Sequence, residues 1–136
     1  MASRLNPYLS FTGSAREAME FYRSVFGGEL EINTFGQYGG APPGLSDDGV
    51  MHALLTTDSG FVLMASDGSS ATSAENGAIT VSLSGTDAEE LRGYWEKLSA
   101  EGTVSMPLEK QMWGDEFGMC VDRFGVPWMV DIGTGD

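Results

Sequence analysis

The chain has few cationic side chains, and this shortage restricts the partners that it can bind. Lys and Arg number 7 against 20 Asp and Glu, which gives a formal net charge of −13 at pH 7. Such a surface repels phosphate backbones and anionic membranes, so we expect neither a nucleic acid nor a membrane as a partner. The acidic residues are scattered, as at Asp47-Asp48 and Glu89-Glu90. This distribution indicates a solvated surface and not a cation site.

The chain also has little cysteine, little histidine and no long apolar run. Cys120 is the single cysteine, so it cannot form an internal disulfide and is typical of a small buried apolar residue. No apolar run approaches the ~20 residues that span a bilayer. Residues 1–7 lack the apolar core of a signal peptide, so we expect a cytoplasmic location. No nucleophile elbow, phosphate-binding loop or zinc cluster is recognisable.

What the chain does have is an internal repeat. Residues 9–17 read LSFTGSARE and residues 81–89 read VSLSGTDAE. Each is a short strand that ends at Gly, followed by Ser14 or Thr86 and by Glu three residues later, which is the spacing of a capping box. Residues 58–64 and 122–129 form a second matching pair, each a turn followed by an apolar strand. The repeat predicts two similar halves, with functional positions in pseudo-symmetric pairs.

Apolar spacing predicts one helix and several strands in each half. The first helix follows Ser14 and ends at Gly27-Gly28, and the second follows Thr86 and ends near Gly102. Their apolar stripes are Ala18, Phe21, Tyr22, Val25 and Phe26, and Leu91, Tyr94, Trp95 and Leu98. Each half therefore reads β-α-β-β-β. We expect residues 1–136 to form a single domain, with a first repeat at 6–67, a linker at 68–77 and a second repeat at 78–132.

This doubled order resembles the vicinal oxygen chelate superfamily of glyoxalases, bleomycin-resistance proteins and extradiol dioxygenases. Several sequence segments are similar to those of its PhnB-like branch: YLSF (8–11), EAMEFY (17–22), FGGE (26–29), QMWGDEFG (111–118) and DRFGVPW (122–128). The resemblance covers about residues 6–132. It implies an α+β glyoxalase-like fold, in which two βαβββ repeats form paired curled sheets around a cavity.

The resemblance also indicates where a metal site would lie. Metal-using members place His or a similar ligand near the start of the first strand of each half, and Glu on the last strand of each half. Here the first-strand positions hold Tyr8 (or Pro7) and Thr80 (or Ile79), and the last-strand positions hold Met64 and Met129. Thioethers bind hard divalent ions poorly. We therefore expect neither a metal nor another cofactor. Some members of the branch are described as 3-demethylubiquinone methyltransferases, but no S-adenosylmethionine-binding strand-loop-helix is recognisable here.

The candidate ligand-binding residues are Tyr8, His52, Met64, Thr80, Trp113 and Met129. His52, whose counterpart in the second copy is Gly118, could act as a base or hydrogen-bond donor near neutral pH, or could be a structural histidine. Methionine and aromatic side chains suit an apolar or planar small molecule, although they could equally fill a collapsed core. The loop around Met112-Trp113 could cover the cavity or contact another subunit.

Three functions follow from this sequence. The leading hypothesis is a cytoplasmic, metal-independent protein that binds a small molecule, with its catalytic activity left open. One alternative is a lyase or dioxygenase that uses a divalent metal, with His52 as one ligand. Another is a resistance protein that sequesters a drug, and the negative charge would suit a cationic ligand. The resemblance also implies a homodimer with two-fold symmetry.

Overall fold

The computed structural model describes residues 5–68 and 79–134 of the chain. The chain divides into two compact units, Met1–Glu75 and Asn76–Asp136. Each unit carries one copy of the predicted repeat. Apart from Gly68, the predicted linker at 68–77 lies outside the described residues. Within the described ranges, neither helix has the length and apolar character needed to span a membrane.

The first unit is a four-stranded mixed sheet with one long helix. Its elements are β1 (Tyr8–Phe11), α1 (Ala15–Phe26), β2 (Glu29–Thr34), β3 (Val50–Thr56) and β4 (Val62–Asp67), with a short 3-10 helix at Phe35–Tyr38. The strand order is β1-β4-β3-β2. Strand β1 runs parallel to β4, and the other neighbours are antiparallel.

The second unit repeats this topology. Its elements are β5 (Val81–Gly85), α2 (Ala88–Ser99), β6 (Thr103–Lys110), β7 (Glu116–Val121) and β8 (Pro127–Ile132). The strand order is β5-β8-β7-β6, with β5 parallel to β8. The predicted α+β fold of two βαβββ repeats is confirmed.

Each sheet has one face covered by its helix and one face opposite the helix, which we call the far face. On β8, Trp128, Val130 and Ile132 are buried, whereas Met129 and Asp131 between them are half-buried. Strand β4 alternates in the same way. Side chains alternate across a strand, so the buried set packs against the helix. Complete burial of a large apolar side chain of this kind contributes about 1.5–3 kcal/mol.

Close packing of α2 on its sheet depends on a glycine. A Cβ added at Gly118 would lie 2.9 Å from Cη2 of Trp95 on α2 and 2.8 Å from Cα of Leu108. Any larger residue would therefore push the helix or the neighbouring strand away. Gly118 consequently belongs to the helix-covered face of β7.

The predicted capping box of α1 is wrong. Ser14 stands at the N-cap with φ −112° and ψ 9°, and its side chain makes no capping hydrogen bond. The usual N-cap residue has extended backbone angles that aim its side chain at the helix start. Instead, Oδ1 of buried Asp67 accepts the backbone N–H groups of Gly13 and Ala15, both at 2.9 Å. Its Oδ2 accepts the N–H of Val50 at 2.9 Å. One carboxylate on β4 thus fixes both the start of α1 and the start of β3.

The second predicted capping box is also wrong, for a different reason. Helix α2 begins at Ala88, so its N-cap is Asp87 and not Thr86. The Asp87 side chain accepts the N–H of Glu90 at 3.1 Å. A carboxylate here also interacts favourably with the positive end of the helix dipole. The second half therefore caps its helix locally, whereas the first half does so through a distant strand.

These caps predict contrasting effects on stability. We expect Asp67→Ala to lower the free energy of unfolding by about 3 kcal/mol, because three backbone N–H groups lose a charged acceptor. We expect Ser14→Ala to change it by less than about 0.5 kcal/mol. Urea denaturation of both variants measures the difference. A loss on Ser14→Ala that matches or exceeds the loss on Asp67→Ala would contradict this account of the cap.

Candidate functional site

The far face of the first sheet carries two rows of side chains that cross its strands. One row is polar: Ser10 on β1, Ser66 on β4, His52 on β3 and Asn33 on β2. In it, Ser10 pairs with Ser66 and Asn33 pairs with His52. The next row holds Tyr8, Met64, Leu54 and Glu31 on the same four strands. The structure thus brings together three candidates from the sequence: Tyr8, His52 and Met64.

The Tyr8 and His52 rings are neighbours on this face. Their centroids lie 6.1 Å apart and their planes are inclined by 51°. His52 is half-buried, and Tyr8 is 50% exposed. The sequence alone does not determine which side of β3 the imidazole occupies. The register shows that buried Ala53 lies on the helix-covered face, so its neighbour His52 lies on the far face. An imidazole and a phenol in this position can both exchange hydrogen bonds with a bound molecule.

Sheet register corrects the counterpart of Tyr8. Tyr8 pairs with Met64 in the first unit, and Ser82 pairs with Met129 in the second. Ser82, and not Thr80, is therefore equivalent to Tyr8. Thr80 is exposed and precedes the first residue of β5. A count of residues back from the helices does not reveal this shift, because α1 and α2 begin at different distances from the strands that precede them.

The counterpart of His52 is corrected in the same way. Ala53 pairs with Ala65, and Gly118 pairs with Val130 at the equivalent point of the second sheet. His52 therefore corresponds to Phe117 and not to Gly118. Both equivalent positions lie on a far face and both form a ring contact.

The residues at the superfamily's metal-ligand positions do not fit a divalent ion. Register assigns Tyr8 and Ser82 to the first-strand positions, and Met64 and Met129 to the last-strand positions. Phenol, hydroxyl and thioether groups supply no imidazole and no carboxylate, which are the groups that hold zinc, manganese or iron in such sites. Within residues 5–68 and 79–134, no group of three His, Cys, Asp or Glu side chains is arranged to hold a metal ion.

Three methionines form a row across the far face of the second sheet. Met129 on β8 pairs with Met119 on β7, which pairs with Met106 on β6. Met106 is 41% exposed, and the other two are half-buried. The sequence pointed to Met129 but missed Met106 and Met119. Strand β6 has register irregularities on both sides of Met106, so its pairing cannot be counted from the sequence.

Trp113 lies beside the same face. Its ring contacts Phe117 edge-on, with centroids 6.2 Å apart. The turn that carries it is closed by hydrogen bonds from the N–H of Gln111 to the carbonyl of Asp115, at 2.7 Å, and from the N–H of Gly114 to the carbonyl of Gln111, at 3.0 Å. Trp113 nevertheless remains 62% exposed. The turn therefore presents an accessible indole at the end of the sheet.

Two carboxyl groups meet at this end of the second sheet. Asp131 pairs with Phe117, and burial raises the pKa of its carboxyl group. A hydrogen bond with Asp115 and the negative charge of Asp115 raise the same pKa further. The neighbouring Glu116 is bound by Arg92, whose Nε lies 3.2 Å from Oε1. In the described part of the chain, no cationic side chain forms an ion pair with Asp115 or Asp131.

The motif DRFGVPW is structural in this fold. Oδ1 of buried Asp122 accepts the N–H groups of Phe124 and Val126, at 2.8 and 3.1 Å, and Oδ2 accepts the indole N–H of Trp128 at 2.8 Å. The motif therefore fixes the turn before β8 and the orientation of its tryptophan. The adjacent Cys120 is buried, and burial, aided by the charge of Asp122, raises its thiol pKa to about 11. A thiol with this pKa is almost fully protonated at neutral pH, which agrees with a packing role.

Comparison with known proteins identifies the relatives of this chain. A family model described as 3-demethylubiquinone-9 3-methyltransferase matches residues 3–131. Protein YjdN of Escherichia coli (strain K12) is 30% identical, over 94% of both chains. The crystal structure of PA1353 from Pseudomonas aeruginosa is 37% identical, with a TM-score of 0.83 over 97% of this chain and 98% of that one.

More distant structures share the fold alone. A glyoxylase/bleomycin resistance protein/dioxygenase domain from Frankia sp. EAN1pec is 10% identical, with a TM-score of 0.66 over 98% of each chain. The fosfomycin resistance protein FosX from Listeria monocytogenes is 11% identical, with a TM-score of 0.61 over 100% of this chain and 94% of that one. Both agree with the glyoxalase-like fold that the resemblance in the sequence implies.

The carboxyl pair predicts a pH-dependent effect of Asp131→Asn. Because the pKa of Asp131 is raised in the folded protein, its carboxyl group keeps a proton at pH values where the unfolded chain has already lost it. The free energy of unfolding therefore falls as the pH rises from the ordinary pKa of an aspartate to the raised pKa of Asp131. An amide keeps a hydrogen-bond donor toward Asp115 and carries no charge. We expect Asp131→Asn to raise the melting temperature at pH 7 and to lose this advantage near pH 4.

Thermal melts of both proteins between pH 4 and pH 8 measure this effect. Asp58→Asn removes one charge from an exposed turn of the first unit and serves as the control. An equal gain for both variants at pH 7 would mean that net charge, and not the carboxyl pair, is responsible.

Proposed function

Because the chain belongs to the family described as 3-demethylubiquinone-9 3-methyltransferase, we propose that it binds a small organic molecule on a far face of its sheets. This family is a PhnB-like branch of the vicinal oxygen chelate superfamily. The proposed binding needs no divalent metal. The observation that carries this proposal is the group formed by Tyr8, His52 and Met64. It combines hydrogen-bonding rings with an adaptable apolar side chain on an accessible surface.

Methyl transfer is not part of the proposal, although the family description names it. The chain has no recognisable S-adenosylmethionine-binding strand-loop-helix. Its fold consists of two small mixed sheets, each with one helix, and not of the open parallel sheet on which nucleotide-like cofactors commonly bind.

Two alternative functions use the same fold. A divalent-metal-dependent lyase or dioxygenase would need His52 as a ligand, together with donors other than Met64 and Met129. A drug-sequestering resistance protein would bind its ligand without chemistry, and the bleomycin-resistance name of the Frankia relative suggests this alternative. The homodimer and the cytoplasmic location also remain part of the proposal.

Metal analysis tests the proposal directly. We expect protein purified without chelators to contain far less than one equivalent of zinc, iron, manganese or nickel, because thioethers replace the carboxylates. Mass spectrometry of the same preparation should reveal any co-purified organic molecule. About one equivalent of a metal, removed by a chelator together with an activity, would support the metal-dependent enzyme instead.

His52→Ala tests the ligand-binding face. The imidazole is half-buried and lies opposite the helix-covered core, so we expect its removal to weaken ligand binding about tenfold, or about 1.4 kcal/mol, with little change in melting temperature. A fluorescence screen of small aromatic compounds supplies the probe where no molecule co-purifies. Thr56→Ala, an exposed position on the same strand, is the control. Intact binding with a lowered melting temperature would show that His52 has a structural role.

A further inference from the structure

We propose that the far face of the second sheet binds an aromatic cation, with the ring on the row of Met106, Met119 and Met129 and the positive group at Asp115 and Asp131. This inference rests on the proposed function and names the ligand class. The first unit does not share these features, so the two far faces differ in what they select.

The methionine row supplies the surface for the ring. Its three thioethers lie on adjacent strands in direct register, so they form a continuous apolar strip. Methionine has flexible rotamers and a polarizable sulfur that makes favourable contacts with aromatic rings. The strip is partly exposed and therefore accessible to a planar group.

The aromatic pair lies at the end of the sheet where the positive group would enter. Phe117 shares its row with Asp131, and Trp113 contacts Phe117 from the turn. Indole and phenyl faces attract cations through their ring quadrupoles. The indole of Trp113 is exposed enough to contact an arriving molecule.

The carboxyl pair supplies the opposite charge. Asp131 lies near Asp115, whose hydrogen bond and negative charge add to burial in raising the pKa of Asp131, and no cationic side chain of the described residues forms an ion pair with either. The neighbouring Glu116 is instead neutralised by Arg92. An organic ammonium group between the two carboxyl groups would donate hydrogen bonds to both and offset their negative charge. This charge complementarity distinguishes a cation from a neutral or anionic occupant.

The spacing limits the size of the ligand. Met129 and Asp131 are two residues apart on β8 and point to the same face, so their rows are separated by about 7 Å. This distance suits a phenyl ring joined to an ammonium group by two methylenes. In the first sheet, the position equivalent to Asp131 is Ser66, which carries no charge.

The test uses 2-phenylethylamine, which is charged at neutral pH, and the neutral 2-phenylethanol of the same shape. NMR of protein labelled with ¹³C at the methionine methyl groups reports binding on the row itself. We expect the shifts of Met106, Met119 and Met129 to respond, while buried Met19 on α1 serves as the internal control. We expect the dissociation constant of the amine to be about tenfold lower than that of the alcohol.

A double variant tests the source of the charge preference. We expect Asp115→Asn with Asp131→Asn to bind both probes with similar affinity. Asp48→Asn with Asp58→Asn removes the same number of charges from exposed loop positions of the first unit and should keep the preference. Loss of the preference in both double variants would mean that net charge is its source, and would overturn the inference.

Three further outcomes also decide against the inference. Equal binding of the amine and the alcohol by the unaltered protein would refute the cation site while leaving small-molecule binding intact. Methyl shifts confined to Met64 would move binding to the first sheet. No response to either probe, in a protein that sediments as a dimer and becomes monomeric on Trp113→Ala, would show that a second copy covers this face. His52→Ala tests the proposed function separately in each case.

Discussion

A single helix can cover only one face of a four-stranded sheet, and the functional features of this protein follow from that constraint. Each unit has one long helix, so the residues that alternate with the buried core remain on the far face. In the part of the chain that the structure describes, those residues lie on the face away from the long helix of their own unit, so they are free to differ between the two units. In the first unit they became a polar row beside Tyr8, and in the second they became a methionine row beside two carboxyl groups.

The sequence was sufficient for the fold because the fold depends on periodicity and repetition. Helix stripes, glycine stops and two matching strand-helix segments predicted both βαβββ units. These features are local, and each can be counted along the chain without knowledge of its partners.

The candidate site was only partly predictable because it depends on pairing between strands. The counterparts Thr80 and Gly118 were both wrong: strand-to-helix spacing differs between the two units, which displaces Thr80, and the pairing of β7 with β8 places Phe117 where Gly118 was expected. Met106 was missed because irregular pairing of β6 determines which residue stands beside Met119. The cap of α1 was missed because Asp67 lies far from it in sequence. Such contacts leave no periodic pattern in the chain.

The methionine row also makes the second sheet chemically vulnerable. Oxidation of a thioether to the sulfoxide replaces a flexible apolar group with a polar, chiral one. Met106 is the most exposed of the three and stands at the edge strand, so an oxidant reaches it first, and Met119 lies directly beside it. The surface that suits an apolar ring under reducing conditions would thus become hydrophilic under oxidative stress, and methionine sulfoxide reductases could reverse the change.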